Sequence, residues 1–294
     1  MDTRAVEGFV AVAERLHFGQ AATELHLSQP ALSGRIAALE REVGARLLDR
    51  NRRQVALTEA GRTFLPLARA MLEAARTGVT LARRAVTGEA GRLRLGFTVI
   101  AGFTELPRRV QEFRRRHPDV VLELTEVDSP SVERALAEGR IDLGVLHPPV
   151  SGPRLAVADW RSEPLLLALP DGHPLLAQER LTFADLAGEP WLVGPRVIGP
   201  VIYDRLIAGF SRAGVRPEIV QEVYPMPVLV SLVAAGAGVG FVTAGIASAG
   251  RPGVAYRPVV DAPDLPVAAA WLGDRPIPTA VRFLETCGIR TDDP

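Results

Sequence analysis

The sequence has no lysine. All 34 basic side chains are arginine, they face 34 acidic ones, and the formal net charge is zero. A uniformly basic nucleic-acid binder is therefore excluded. The missing lysine reads as genome composition rather than a recognition device, although arginine suits phosphate and guanine contacts better. A single cysteine, Cys287, leaves no internal disulfide, which fits a reducing cytoplasm. A signal peptide is not expected, because Asp2, Arg4 and Glu7 interrupt the N-terminus before any apolar run develops. Charge is also missing from 223–250, a stretch long enough to cross a bilayer. Pro225 and Pro227 open it, however, and Gly236, Gly238, Gly240 and Gly245 interrupt it. A soluble helix, a glycine turn and a buried strand explain it better, with a membrane span as the alternative.

Catalytic signatures are lacking too. His17, His26, His117, His147 and His173 show no metal-ligand spacing with one another or with Cys287. Ser151 sits in no nucleophile elbow. Gly236, Gly238 and Gly240 have the wrong spacing for a dinucleotide loop, and a strand follows them instead of preceding them. No enzyme activity, metal or cofactor is expected.

What is present is a 294-residue chain, 47% hydrophobic and 23% charged, enough for two or three cores. Its first 90 residues hold 13 Arg against 10 Asp and Glu, a net of +3, so the remainder carries −3. Val6, Phe9, Val10, Ala13 and Leu16 recur at helical spacing over 3–16. Residues 18–26 form a second short helix. Ser28 then caps a third, with Pro30 in its first turn, Ala31, Leu32, Ile36 and Leu39 facing inward, and Gly44 as its stop. This is the layout of a helix-turn-helix. Residues 47–57 follow as two short strands around a turn carrying Arg50, Arg52 and Arg53, a basic wing.

A fourth helix runs from Thr58 and Glu59 to about Thr87. Phe64, Ala68, Met71, Ala75, Val79, Ala82 and Val86 lie along it at near-heptad spacing. Its roughly 45 Å length favours a partner helix; packing on its own domain is the alternative. Gly88 to Gly91 reads as a hinge. Beyond it, strands are expected at 93–97, 120–127, 141–146, 165–169, 191–193, 239–243 and 267–271, with helices at 106–116 and 131–138. This alternation predicts an α/β architecture with mainly parallel sheets and a cleft between two lobes.

The run 9–61 resembles the LysR-type transcriptional regulators. The likeness centres on Ser28-Gln29-Pro30-Ala31-Leu32-Ser33, then Leu39-Glu40, Gly44, Leu47-Leu48 and Leu57-Thr58-Glu59-Ala60-Gly61. The second half resembles the same family through LRLGF (93–97), Leu106-Pro107, FRRRHP, the GRIDLGV run (139–145) and LVAAGAGVGFV (232–242). It looks most like the branch that senses small aromatic-derived acids. The resemblance implies a winged helix-turn-helix over 1–58, a linker helix and hinge over 59–90, and an effector domain over 91–294. That domain has the fold of type 2 periplasmic binding proteins, with lobe I at about 91–162 and 265–294 and lobe II at about 163–264. It further implies linker-helix dimers, tetramers built as dimers of dimers, an operator with inverted half-sites, RNA polymerase as a partner and a cytoplasmic location.

On this reading Ser28, Gln29, Pro30, Ser33 and Arg35 face the major groove, and Arg50, Arg52 and Arg53 face phosphate or the minor groove. Gly34 stands where the family often has Arg, so Arg35 either replaces it or touches only phosphate. An anionic effector is expected at Thr98, Ile100, Ser129 and His147 of one lobe. In the other, Arg196 is its counter-ion, with a plain surface arginine as the alternative, and Ile198, Ile202, Met226 and Pro227 supply an apolar wall. Plain helix caps remain the alternative for Thr98 and Ser129. The rival functions are a solute-binding protein with an added oligomerisation domain and an α/β enzyme fused to a DNA module.

Overall fold

The computed structural model describes all residues except 52–53, 151–153 and 291–294. Two compact units divide at Arg83/Arg84, inside one long helix.

In the first unit, α1 (Thr3–Arg15) and α2 (Phe18–Glu24) precede α3 (Gln29–Val43). A two-stranded antiparallel wing follows, β1 (Leu48–Asn51) and β2 (Gln54–Leu57), and then α4 (Glu59–Val86). Val6, Phe9 and Val12 of α1 meet Leu32, Ile36 and Leu39 of α3, all at most 1% exposed. Burying each of these is worth about 1.5–3 kcal/mol. Gly44 ends α3 in a left-handed conformation (φ 75°) that only glycine adopts without strain.

The expected seam on α4 divides in two. Phe64 lies 5.5 Å from Phe9, Ala68 is buried, and Met71 packs on the same core. The front of the stripe thus belongs to its own domain. Ala75, Val79, Ala82 and Val86 are exposed, Val79 and Val86 at 53% and 77%.

The second unit has two lobes. Lobe I holds β3 (Gly91–Phe97), α5 (Leu106–Arg116), β4 (Val120–Glu126), α6 (Val132–Ala137), β5 (Leu143–Leu146) and β6 (Leu155–Glu163). The chain then builds lobe II from β7 (Leu165–Pro170), β8 (Pro190–Val193), α7 (Pro200–Arg212), β9 (Glu218–Glu222), α8 (Met226–Ala234), β10 (Gly240–Thr243), α9 (Ala244–Ser248) and β11 (Val254–Pro258). It returns to lobe I through β12 (Leu265–Leu272) and α10 (Pro278–Cys287).

The sheets are less parallel than expected. In lobe I, ordered β4-β3-β5-β12-β6, only β3 runs parallel to its neighbours β4 and β5. The returning β12 enters from the other lobe and pairs antiparallel with β5 and β6. In lobe II, β7 lies antiparallel between β10 and β11, while β8 and β9 are parallel.

The GRIDLGV run has a structural purpose. Asp142 Oδ2 accepts from the Arg94 backbone N–H at 2.8 Å and from its Nε at 3.0 Å, fixing β5 beside β3. The uncharged run 223–250 is α8, a turn, β10 and α9. Among the described residues no helix is long and apolar enough to cross a membrane. Cys287 is buried under α5, and desolvation pushes its thiol up to about 12, leaving it protonated and unreactive.

Candidate functional site: a recognition helix and an interlobe cavity

Helix α3 starts where the sequence dictates. Ser28 is extended, and its Oγ accepts from Ala31 N at 3.3 Å. Pro30 follows in the first turn, where its missing N–H costs nothing. Ser28, Gln29 and Pro30 are exposed, and Ser33 and Arg35 are half-buried. Ala31, expected inward, is exposed. Leu32, Ile36 and Leu39 already fill the inner stripe, and Ala31 falls about 100° away from Leu32 around the helix. The far end of α3 is tied to the wing: Glu40 Oε1 accepts from Leu47 N at 2.9 Å and Leu48 N at 3.1 Å. In the wing, Arg50 pairs with Val55 through its backbone. The Arg50 side chain and both Arg52 and Arg53 lie outside the described residues.

The second site is a cavity of about 350 Å³ between the lobes. Lobe I contributes Thr98, Ile100, Ser129 and His147 from the loops after β3, β4 and β5. These are the carboxyl ends of its parallel strands, where α/β sheets present ligand sites. Lobe II contributes Ile198, Ile202 and Met226 from the starts of α7 and α8.

Two expected residues are not in this wall. Arg196 is 63% exposed and held bidentately by Asp204, Nε to Oδ1 at 2.7 Å and Nη2 to Oδ2 at 2.9 Å. An acidic partner on the adjacent helix has captured it, so it balances no charge in the cavity. Pro227 sits in the first turn of α8, where its carbonyl accepts from Ser231 Oγ at 3.2 Å, and Met226 and Leu229 of that helix line the cavity instead.

Thr98 is both wall and cap, since its Oγ1 accepts from Ala101 N at 3.2 Å. For Ser129 the capping is done by its neighbour: Asp128 Oδ1 accepts from Ser131 N at 2.9 Å. Asp128 and Glu133 also line the cavity, and sequence reasoning passed over both. The signal was there, an Asp before Ser-Pro at a strand end. Trp191, Tyr203, Tyr224 and Phe241 complete an aromatic wall that was likewise unexpected.

His147 is 7% exposed, and its Nδ1 lies 2.9 Å from the Pro266 carbonyl oxygen. A carbonyl only accepts, so Nδ1 carries the proton and Nε2 the lone pair. Burial, opposed only by that hydrogen bond, pushes the imidazole below its ordinary pKa and keeps it neutral. Among the described residues Nε2 has no partner.

A capped helix with an exposed first turn beside a wing, followed by a two-lobed domain around a cavity, defines a DNA-binding regulator with an effector domain. Residues 3–62 match the bacterial regulatory helix-turn-helix protein, lysR family, and residues 87–289 match the LysR substrate binding domain. The chain belongs to the LysR family of transcription regulators. It is 41% identical to the HTH-type transcriptional regulator AlsR of Bacillus subtilis over 87% of this chain and 85% of that one. Its fold superposes on full-length CbnR complexed with its target DNA at TM-score 0.85, with 28% identity, covering 98% of this chain and 99% of that one. It also superposes on the BenM effector binding domain with its effector benzoate at TM-score 0.62, with 29% identity over 67% and 90% of the two chains.

Proposed function

We propose that this regulator reads an operator of two inverted half-sites as a cytoplasmic dimer joined through α4, assembled further into a tetramer. A small molecule between the lobes alters its DNA contacts and its engagement of RNA polymerase. Gln29 and Ser33 read base edges, with Ser28, Pro30 and Arg35 beside them, while Arg50, Arg52 and Arg53 neutralise phosphate. Thr98, Ile100, Ser129, His147, Ile198, Ile202 and Met226 hold the effector. The observation that carries this reading is the pairing, on one chain, of an exposed turn at Gln29 with an interlobe cavity. Such a ligand needs only to bind one arrangement of the oligomer better than another.

The test is a reporter driven by the DNA upstream of the protein's own gene, with footprinting of the full chain on that DNA. Gln29→Ala should lose base preference, costing about 1–3 kcal/mol on the best site and little on others. Ile202→Trp, which fills the cavity, should keep the footprint of the unliganded protein and lose the response to growth conditions. Equal weakening on all DNA by Gln29→Ala would refute the reader assignment. A normal response from Ile202→Trp would refute the cavity assignment.

A further inference from the structure

The charge of the cavity wall says what kind of molecule enters. Two carboxylates, Asp128 and Glu133, line it, and no arginine does among the described residues. The nearest expected cation, Arg196, is committed to Asp204 and turned to solvent. The remaining wall is mostly apolar and aromatic, with Ile198, Ile202 and Trp191 among it. A carboxylate ligand here would lose its water, meet two like charges and find no counter-ion. The His147 ring offers a lone pair in place of a charge. His147 lines the cavity with its Nδ1 proton committed to Pro266 O, and its buried Nε2 has no partner among the described residues. A buried acceptor without a donor is costly, and a ligand hydroxyl or N–H satisfies it.

We infer that the cavity takes an uncharged, mainly apolar ligand carrying a hydrogen-bond donor, with His147 Nε2 as the acceptor that recognises that donor. This rests on the effector reading of the cavity and changes the class of effector from the anion expected of the sequence. His147 thereby becomes the specificity-determining residue. Glu133 and Asp128 act against anions by repulsion, which discriminates as effectively as an added attraction. The cavity is large enough for a bicyclic aromatic molecule.

The experiment is calorimetry of the full chain near neutral pH with three matched probes: 2-naphthol, its methyl ether 2-methoxynaphthalene, and 2-naphthoate. 2-Naphthol should bind at least about tenfold more tightly than 2-naphthoate and several-fold more tightly than the ether, which lacks the donor. His147→Phe should abolish the preference for naphthol over its ether while leaving the ether's affinity near wild type. Glu133→Gln should strengthen naphthoate binding and leave naphthol unchanged. Naphthoate binding as tightly as naphthol to wild type, or naphthol and ether binding equally, overturns the inference. If naphthoate wins and Ile202→Trp abolishes its binding, the ligand class falls and the effector cavity stands. If no probe binds at about 1 mM, or if Ile202→Trp leaves binding unaltered, the cavity reading falls with it.

Discussion

Glu40 offers a sharp test of how the recognition helix is coupled to the wing. Its Oε1 accepts from the backbone N–H groups of Leu47 and Leu48, residues that are 0% and 1% exposed. Glu40→Ala leaves both donors without a partner in a place water does not reach. At about 1–3 kcal/mol for each orphaned buried group, less some relaxation, the loss should be about 3 kcal/mol. That is a large share of a small domain's stability and about a hundredfold in the population of the opened state. Glu40→Gln keeps an acceptor oxygen at the same reach and should cost only about 1 kcal/mol. Hydrogen exchange of the full chain reads this directly at the Leu47 and Leu48 amides. Their protection should drop about a hundredfold in the alanine variant and less than about tenfold in the glutamine variant. Unchanged protection in Glu40→Ala would show that these amides find another acceptor. An equal drop in both variants would show that the carboxylate's charge, not its acceptor geometry, holds the joint.

Three further outcomes follow from the same structure. Val79→Glu changes an exposed position on the rear of α4 and should dissociate the oligomer in sedimentation without lowering the stability of the winged domain, whereas Met71→Glu should destabilise that domain itself; an oligomer intact in Val79→Glu would remove the rear of α4 from the dimer contact. Gly34→Ala should raise thermal stability, by about 1 kcal/mol, because a Cβ there meets nothing within 4 Å; a loss instead would mean the helix needs flexibility at that step. His117 and His147 both have pKa values lowered first by burial, so the unfolded chain takes up their protons before the folded one does. The stability they lend in neutral form is complete above the unfolded value of 6.5 and falls as pH drops through it. Melting temperature should therefore decline on acidification below that pH, with a shallower slope in His147→Phe; identical slopes would leave His147 out of the linkage.

The start of α3 was legible because three independent local signals coincide there: a capping serine, a first-turn proline and an apolar repeat. Strands β6, β9 and β11 escaped notice, and of these β9 has no inner face. All five residues of β9 are exposed, so Glu218–Glu222 carries no alternation to read. Antiparallel β12 was legible as a strand but not in direction, since direction depends on the path of the chain through the other lobe. The α4 stripe shows what periodicity omits. Phe64 and Val79 share a spacing, yet one packs on Phe9 and the other faces outward. The cavity residues Thr98 and Ser129 were expected from loop position together with the family resemblance, and His147 from the resemblance alone. Arg196 misled because its partner Asp204, eight residues on, becomes a neighbour only once α7 has formed.

Strand β12 passes from one hydrophobic core to the next within a few residues. Leu265 belongs to the lobe II core, Val267 and Ala269 to that of lobe I, and Pro266 between them accepts the Nδ1 proton of His147. An imidazole is a rigid plate. Tilting it at one nitrogen swings the other by the same angle. Under the assignment of Nε2 to the ligand, occupant and crossing strand hold opposite edges of one plate. Influence across such a joint runs equally in both directions. A neighbouring subunit that shifts β12 would retune affinity in the cavity by the same factor with which an occupant retunes the subunit contact. DNA that selects one oligomer geometry would then alter how much effector the protein retains, making the promoter itself a modulator of the sensor.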